Sequence, residues 1–366
     1  MKRIAFLTWF ALFLFGFAPA QQNTPESPAA KKEALKKAKE AIRLEDEGNT
    51  DAAIALLKEA SALDPSDLDY IYELGYAYST RKEFAVALSY LDKLTSRKDV
   101  NDLVYELIGN CQSELGHQDR AKEIFEEGLK KFPASGRLLY EEGLLEAGVK
   151  QYNRALLYFE KGIESDPEYP GNYYWAAKLY CHSTEPIWGI LYAELFMNLE
   201  RGTKLTSEMS KLLYDTYLNC IRFSPDSSLQ LSFTKFTVSS DSSSHAAKPS
   251  FAVSVYEPCV LLAAGNEKRI DLEALVRIRK RFVETYYKGQ SPVKYPNVLF
   301  DFQHEALKAG QLDAYSYWLL MEGEGSTFQN WQAANPEAWE HFADWFKLHP
   351  LKLSHTHRFY KAQYGS

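Results

Sequence analysis

The 34 residues LDYIYELGYAYSTRKEFAVALSYLDKLTSRKDVN, at positions 68–101, decide the architecture. Apolar and small residues recur in them at helical spacing: Leu74, Gly75 and Tyr78, then Phe84, Ala87 and Leu91. Two short helices joined by a turn fit this pattern. Gly75 and Ala87 let the helices approach, and Leu74, Tyr78 and Leu91 fill the remaining space. The same columns recur on either side. Ala53, Ala87, Ala121 and Ala155 stand 34 apart, as do Leu57, Leu91, Phe125 and Phe159. Gly75, Gly109 and Gly143 make a third column, with Ala41 in the first register. Asp64-Pro65, Phe132-Pro133 and Asp166-Pro167 close three units, and Asp99 stands where the fourth proline would fall. Gly48 and Gly116 lie between the helices of their units, where a C-cap needs positive φ. One unit cannot bury its own apolar face, so neighbours must stack.

Through Leu74-Gly75-x-x-Tyr78, Phe84, Ala87, Leu91 and the Asp-Pro pairs the chain resembles the tetratricopeptide repeat (TPR) family. Repeats fall at 34–67, 68–101, 102–135 and 136–169. The fourth has Glu142 where a large apolar residue should precede Gly143, which loosens its first helix. A fifth, degenerate unit starts at Pro170, with Tyr173, Ala177 and Tyr180 on one face. It lacks a turn glycine at Thr184, and Pro186 delays its second helix. The resemblance implies an all-α helical-hairpin solenoid that binds a protein or peptide on its concave side. In the family, the first helix of each unit lines that groove at positions 2, 5, 9, 12 and 13. Carried onto this chain, these are Asp69, Tyr72, Tyr76, Ser79 and Thr80 in repeat two. Repeat three supplies Leu103, Glu106, Asn110, Ser113 and Glu114. Repeat four supplies Arg137, Tyr140, Leu144, Ala147 and Gly148, and Tyr174 and Lys178 continue the row. The expected partner contacts are Asp69, Tyr72, Tyr76, Glu106, Asn110, Glu114, Arg137, Tyr140, Tyr174 and Lys178. Glu106 stands where a Lys would hold a terminal carboxylate, so a peptide-tail adaptor is not implied.

The second half is helical and less periodic. Residues 187–201 and 203–222 have helical apolar spacing, with Leu205, Met209, Leu212, Leu213 and Tyr217 in one stripe. Residues 224–250 are rich in Ser; Leu229, Leu231 and Phe233 alternate there as in a short strand, and 239–244 reads as a mobile loop. Helices resume at Tyr256. Asp271 can cap a helix over 272–288 that buries Leu275, Ile278, Phe282 and Tyr286. Residues 297–309, Gly310 and 312–321 form a hairpin, and Asn335-Pro336 is a cap with a first-turn proline. Trp339, Phe342 and Phe346 line the last helix. Tyr180-Cys181, Trp188-Gly189, the run from Glu194 to Glu200 and the run from Tyr295 to Asp301 resemble exported TPR proteins of Gram-negative bacteria. That likeness extends over most of the chain and implies no activity.

The N-terminus has the three parts of an export signal: Lys2 and Arg3, the apolar run from Ile4 to Phe17, and Ala18-Pro19-Ala20 before Gln21. The run is shorter than the roughly 20 apolar residues of a membrane span. Cleavage between Ala20 and Gln21 leaves a soluble protein, periplasmic or secreted. The expected organisation is a signal peptide at 1–20, a flexible linker at 21–33, the array at 34–201, a helix and Ser-rich junction at 202–250, and a C-terminal helical domain at 251–366. Net charge is −7, which argues against general nucleic-acid binding. Residues 21–250 hold 27 basic and 36 acidic side chains, whereas 251–366 hold 13 of each. The array's field therefore favours basic or neutral partners. Cys111, Cys181, Cys220 and Cys259 are widely spaced and allow three full pairings, with buried free thiols as the alternative.

Chemistry-bearing motifs are incomplete. His304-Glu305 is followed by Lys308 where a zinc helix needs His. His355 and His357 could share a face, but no nearby Cys or carboxylate completes a metal set. Glu322 and Glu324 flank a turn; a paired-carboxylate site there competes with a plain polar loop. Trp318, Trp331, Trp339 and Trp345 could stack sugars or peptides, and their helical spacing equally suits core packing. No catalytic residue, metal or cofactor is assigned. The leading reading is a non-catalytic protein–protein interaction or scaffold module of the cell envelope. The alternative is an envelope enzyme or glycan-binding protein with its site in the C-terminal half.

Overall fold

The computed structural model describes residues 27–224, 228–234 and 250–364. The export signal, its cleavage point and the loop expected at 239–244 lie outside them. Among the described residues are eighteen α-helices and one pair of short strands. No described helix is long and apolar enough to cross a membrane. The chain divides into two compact units between Val100 and Asn101.

Unit one holds two hairpins, α1 (Pro28–Asp46) with α2 (Thr50–Leu63) and α3 (Leu68–Thr80) with α4 (Phe84–Leu91). α1 starts inside the stretch expected to be linker. Ser27 Oγ accepts a hydrogen bond from the Ala30 amide at 3.1 Å, and Pro28 suits a first turn, so residues 28–33 are helical. α1 buries alanines, Ala30, Ala34, Ala38 and Ala41, which brings it close against α2. A methyl group added at Gly75 would come within 2.5 Å of the Leu91 side chain, so this glycine sets the α3–α4 distance.

Unit two continues the hairpins with α5 (Asp102–Glu114), α6 (Gln118–Lys131), α7 (Gly136–Gly148), α8 (Tyr152–Ser165), α9 (Pro170–Cys181) and α10 (Pro186–Leu199). The glycine column repeats its role: side chains at Gly109 and Gly143 would overlap the Phe125 and Phe159 rings. Glu142 does not loosen α7, which is an intact 13-residue helix like α5. Its carboxylate is instead fully buried. α11 (Lys204–Cys220) begins behind a capping box made by Thr203 and Thr206. This cap leaves Leu205 in the open first turn, 42% exposed, outside the stripe expected to contain it. The chain leaves α11 at Cys220, two residues earlier than expected. It runs straight into β1 (Ile221–Phe223), which pairs antiparallel with β2 (Leu229–Leu231), Ile221 opposite Leu231. Phe233 lies beyond β2 and is fully buried.

A π-helical stretch over Ala252–Tyr256 runs into α12 (Glu257–Ala264), so helix resumes before Tyr256. Asp271 caps α13 (Leu272–Lys288), its Oδ1 accepting from the Ala274 amide at 2.8 Å. Leu275, Ile278, Phe282 and Tyr286 are all buried, as expected. α14 (Ser291–Lys294) leads to α15 (Val298–Lys308) and α16 (Leu312–Leu319), a hairpin turned at Gly310 with φ +72. α17 (Gly325–Ala334) and α18 (Pro336–Leu348) close the helical part. Asn335 precedes α18 but does not cap it, because its side-chain amide donates back to the Trp331 carbonyl at 2.8 Å.

The last described residues form a strap against the core. Leu351, Leu353 and Phe359 are buried, and Phe359 packs against Trp188 and Tyr192. The Lys361 amide donates to the Tyr192 hydroxyl at 2.8 Å, and the Tyr364 ring stacks on Phe251 at 4.4 Å. His355 and His357 sit exposed on this strap. One continuous core runs from Ala155 of α8 to Phe359, so the end of the array and the C-terminal helices are packed as one body.

Candidate functional site

First helices of successive repeats meet side by side in unit two, and their expected contact residues interlock. Arg137 of α7 donates to Glu106 of α5 at 2.9 Å, approaches Asp102 at 3.4 Å and lies over the Tyr169 ring. One turn further along, Asn110 donates to Glu141 at 3.1 Å. Burial pushes the Glu141 carboxyl up to about 7; the Asn110 amide opposes this and the nearby Glu106 charge adds to it. Tyr140 packs its ring against Phe159 and Tyr169. Lys178 of α9 donates to the Tyr174 hydroxyl at 3.2 Å and to Glu208 of α11 at 2.8 Å. The same ammonium lies 4.9 Å and 5.1 Å from the Tyr174 and Trp175 ring centres. The result is a ladder of polar and charged pairs over an aromatic floor, α5 paired with α7 and α9 with α11. Tyr174 belongs to that floor: it is 8% exposed and packs on Phe196 and Trp175. Glu114 stands exposed at the end of α5.

In unit one, Asp69 is exposed in the first turn of α3, Tyr72 is half-buried, and Tyr76 is 46% exposed. Glu45 of α1 and Glu73 of α3 also lie half-buried there. Burial raises both carboxyls, Glu45 to about 7 with help from the charges of Glu73 and Asp46.

The richest polar cluster lies elsewhere and is internal. Glu194 of α10 accepts two hydrogen bonds from the Arg279 guanidinium of α13, at 2.7 and 2.9 Å. It also accepts from Gln303 at 2.7 Å and from the Tyr315 hydroxyl at 2.9 Å. Arg279 further donates to Ser316 and Tyr217. The cavity beside this pair is about 20 Å³, lined also by Leu191, Tyr256 and Phe300. That is room for about one water molecule.

The remaining motifs are placed as follows. His304 stacks on Tyr287, its ring centre 3.7 Å away. Glu324 accepts from the Tyr214 hydroxyl and from Thr327, and a side chain at Gly323 would overlap the Tyr214 ring, so this turn is a packing joint. Trp318 is buried, whereas Trp331, Trp339 and Trp345 are half-buried. All four cysteines are free thiols, and burial pushes Cys181 up to about 11 and Cys220 to about 12. Among the described residues no three His, Cys, Asp or Glu side chains form a metal-holding group.

Two family models, both described as tetratricopeptide repeat, match residues 44–111 and 104–130. Residues 44–130 are tetratricopeptide repeats. The bovine (Bos taurus) BBSome complex member BBS4 is 27% identical over 129 residues, covering 32% of this chain and 25% of that protein. The chain thus spans a quarter of that relative's length. Among solved structures, a thermophilic TPR protein of Thermus thermophilus is similar at 16% identity and TM-score 0.43, over 49% of this chain and 98% of that one. PilF of Pseudomonas aeruginosa is similar at 20% identity and TM-score 0.43, over 51% and 84%.

In TPR numbering the ladder uses positions 1, 2, 5, 6 and 9. Sequence reading missed Asp102, at position 1, Glu141, at position 6, and Glu208. The last was accessible: Lys204 starts α11 one 34-residue period after Pro170, which puts Glu208 in the column of Glu106, Tyr140 and Tyr174.

Proposed function

We propose that this protein is a non-catalytic interaction module that holds a segment of a partner protein on the face built by α5, α7, α9 and α11. The observation that carries the reading is the ladder itself. Its charged groups are held in place by neighbours on the adjacent helix, yet Arg137, Glu106, Lys178 and Glu208 keep 19–47% of their side-chain surface in solvent. A surface already ordered loses little entropy when a partner docks. The acidic excess of residues 21–250 favours a partner segment that is basic or neutral. Asp69, Tyr72 and Tyr76 of unit one are proposed as further contacts. With cleavage between Ala20 and Gln21, the module serves as an assembly or scaffold protein of the cell envelope, periplasmic or secreted.

Photo-crosslinking in the envelope fraction tests the reading. A crosslinker at position 114 or 178 is expected to trap a protein partner that one at the exposed Glu123 or Glu127 of α6 does not. Equal trapping from both faces removes the groove assignment. N-terminal sequencing of the exported protein is expected to begin at Gln21; retention of Met1 removes the envelope assignment.

A further inference from the structure

One carboxyl of the ladder lacks a counter-charge. Glu141 of α7 is half-buried, and its Oε1 accepts from the Asn110 amide of α5 at 3.1 Å. Its Oε2 has no hydrogen-bond partner among the described residues, and it is not sealed from solvent. The ladder's cations are committed elsewhere. Arg137, one turn below on α7, serves both Glu106 and Asp102 of α5. Lys178 of α9 serves Glu208 and the Tyr174 hydroxyl. Asp102, Glu106 and Glu141 thus share a single guanidinium, and Glu141 has no contact with it.

The groups facing Glu141 add no positive charge. From α5 come the neutral Asn110 amide and the Glu106 carboxylate, and Glu114 stands exposed one turn further on. The Tyr140 hydroxyl of α7 and the Tyr169 hydroxyl just before α9 both feel the Glu141 charge. The Tyr140 hydroxyl in turn takes the Trp175 indole N–H of α9. A carboxyl in this setting discriminates between occupants. A neutral or acidic segment laid across it removes water and obliges it to carry a proton. A Lys or Arg side chain instead brings the missing charge and a donor for Oε2, in a charge-assisted bond roughly twice as strong as a neutral one.

We propose that Glu141 is the anchor of the groove and selects a partner segment bearing a Lys or Arg, whose side-chain nitrogen donates to Oε2. The assignment rests on the groove proposed above and names the residue that decides what the groove accepts. It also makes docking depend on pH. Burial and the Glu106 charge hold the free Glu141 carboxyl up at about 7, so near neutrality part of the protein carries a proton there. An arriving cation favours the ionised form, and the proton leaves to the buffer as the pair forms.

The probe is a synthetic extended peptide of about eight residues alternating Lys with Ala, long enough to cross the four helices. Twins carry Gln or Glu for every Lys. All three are titrated into the full chain by calorimetry at physiological ionic strength. At pH ~8 the Lys peptide is expected to bind at least roughly tenfold more tightly than either twin. Glu141→Gln keeps an acceptor for Asn110 and is expected to weaken the Lys peptide about tenfold at pH ~8. Lowering the pH to ~5.5 leaves Lys charged and is expected to bring the wild type down to the variant's affinity. At pH ~6.5, buffers of different ionisation enthalpy are expected to show release of most of one proton per peptide bound by the wild type and none by Glu141→Gln. Glu123→Gln on the exposed face of α6 is expected to change nothing. Equal binding of the Lys and Gln peptides, an unaltered affinity in Glu141→Gln, or proton release that persists in that variant overturns the proposal. The crosslinker at position 178 separates the two readings. A partner trapped equally by wild type and Glu141→Gln at both pH values removes the anchor and leaves the groove, whereas no partner trapped by either removes both.

Discussion

Glu142 occupies the column of Leu74 and Ile108 and has no accessible surface. Neither of its carboxylate oxygens has a hydrogen-bond partner among the described residues. Lys122 of α6 and Arg154 of α8 are nearby, but both pair with Glu146, at 3.3 and 2.9 Å. Burial pushes the Glu142 carboxyl up to about 7, with Lys122 and Arg154 opposing and Glu126 and Glu146 adding. The sign of the linkage follows. A carboxyl whose folded pKa lies above its unfolded value binds protons more tightly in the native state. It therefore costs nothing below pH ~4.5, and its cost grows as pH rises towards ~7, then levels off. Glu142→Leu restores the repeat's apolar column. It is expected to stabilise by about 1–3 kcal/mol at pH 8 and by clearly less at pH 5, read from denaturant midpoints at the two values. A pH-independent gain would mean that Glu142 is not the titrating group.

At the scale of the hairpin, two glycine columns do different work. Gly48, Lys82, Gly116 and Lys150 share one turn position, and all four have positive φ, from +61 to +83. Lysine there carries a Cβ penalty that glycine does not, partly offset by glycine's greater freedom when unfolded. Lys150→Gly is expected to stabilise by about 0.5–1 kcal/mol, and Gly116→Ala to destabilise by about 1 kcal/mol, in urea unfolding. The other column, Gly75, Gly109 and Gly143, is about distance between helices. Gly109→Ala drives a methyl into the Phe125 ring and is expected to cost about 1–3 kcal/mol. A neutral Gly109→Ala would show that α5 and α6 separate without penalty and that the 34-residue register is misassigned.

Across the whole molecule, legibility tracks sequence distance. The hairpins were readable because each close pair, such as Gly109 with Phe125, repeats after one period. α13 was readable because Asp271 and its apolar stripe are local. The ladder was half readable: columns placed Glu106, Asn110, Arg137 and Lys178 together, but positions 1 and 6 and the sixth first helix were overlooked. The strap was opaque, since nothing near Phe359 announces Trp188 and Tyr192 as its neighbours. So was the pair of Glu194 and Arg279, 85 residues apart with no periodic relation.

That pair carries the last expectation. α10 is buried from Pro186 to Asn198, and Glu194 ties it to α13, α15 and α16 through Arg279, Gln303 and Tyr315. Burial disfavours the charged guanidinium, yet the Glu194 carboxylate together with Tyr217 and Tyr315 offsets this and holds Arg279 above the usual arginine range. Removing one partner leaves the other charge buried and uncompensated, which costs about 3–5 kcal/mol, whereas an apolar pair of similar volume can be neutral. Arg279→Met is therefore expected to lower stability by that amount, and Glu194→Leu/Arg279→Met together to recover most of it. In the wild type, the amides of α10 are expected to exchange with solvent last among those of unit two, because they open only when its shared core opens. If Arg279→Met speeds exchange in α13 and leaves α10 protected, the array and the C-terminal helices open separately, and the single core of unit two is an assembly of two.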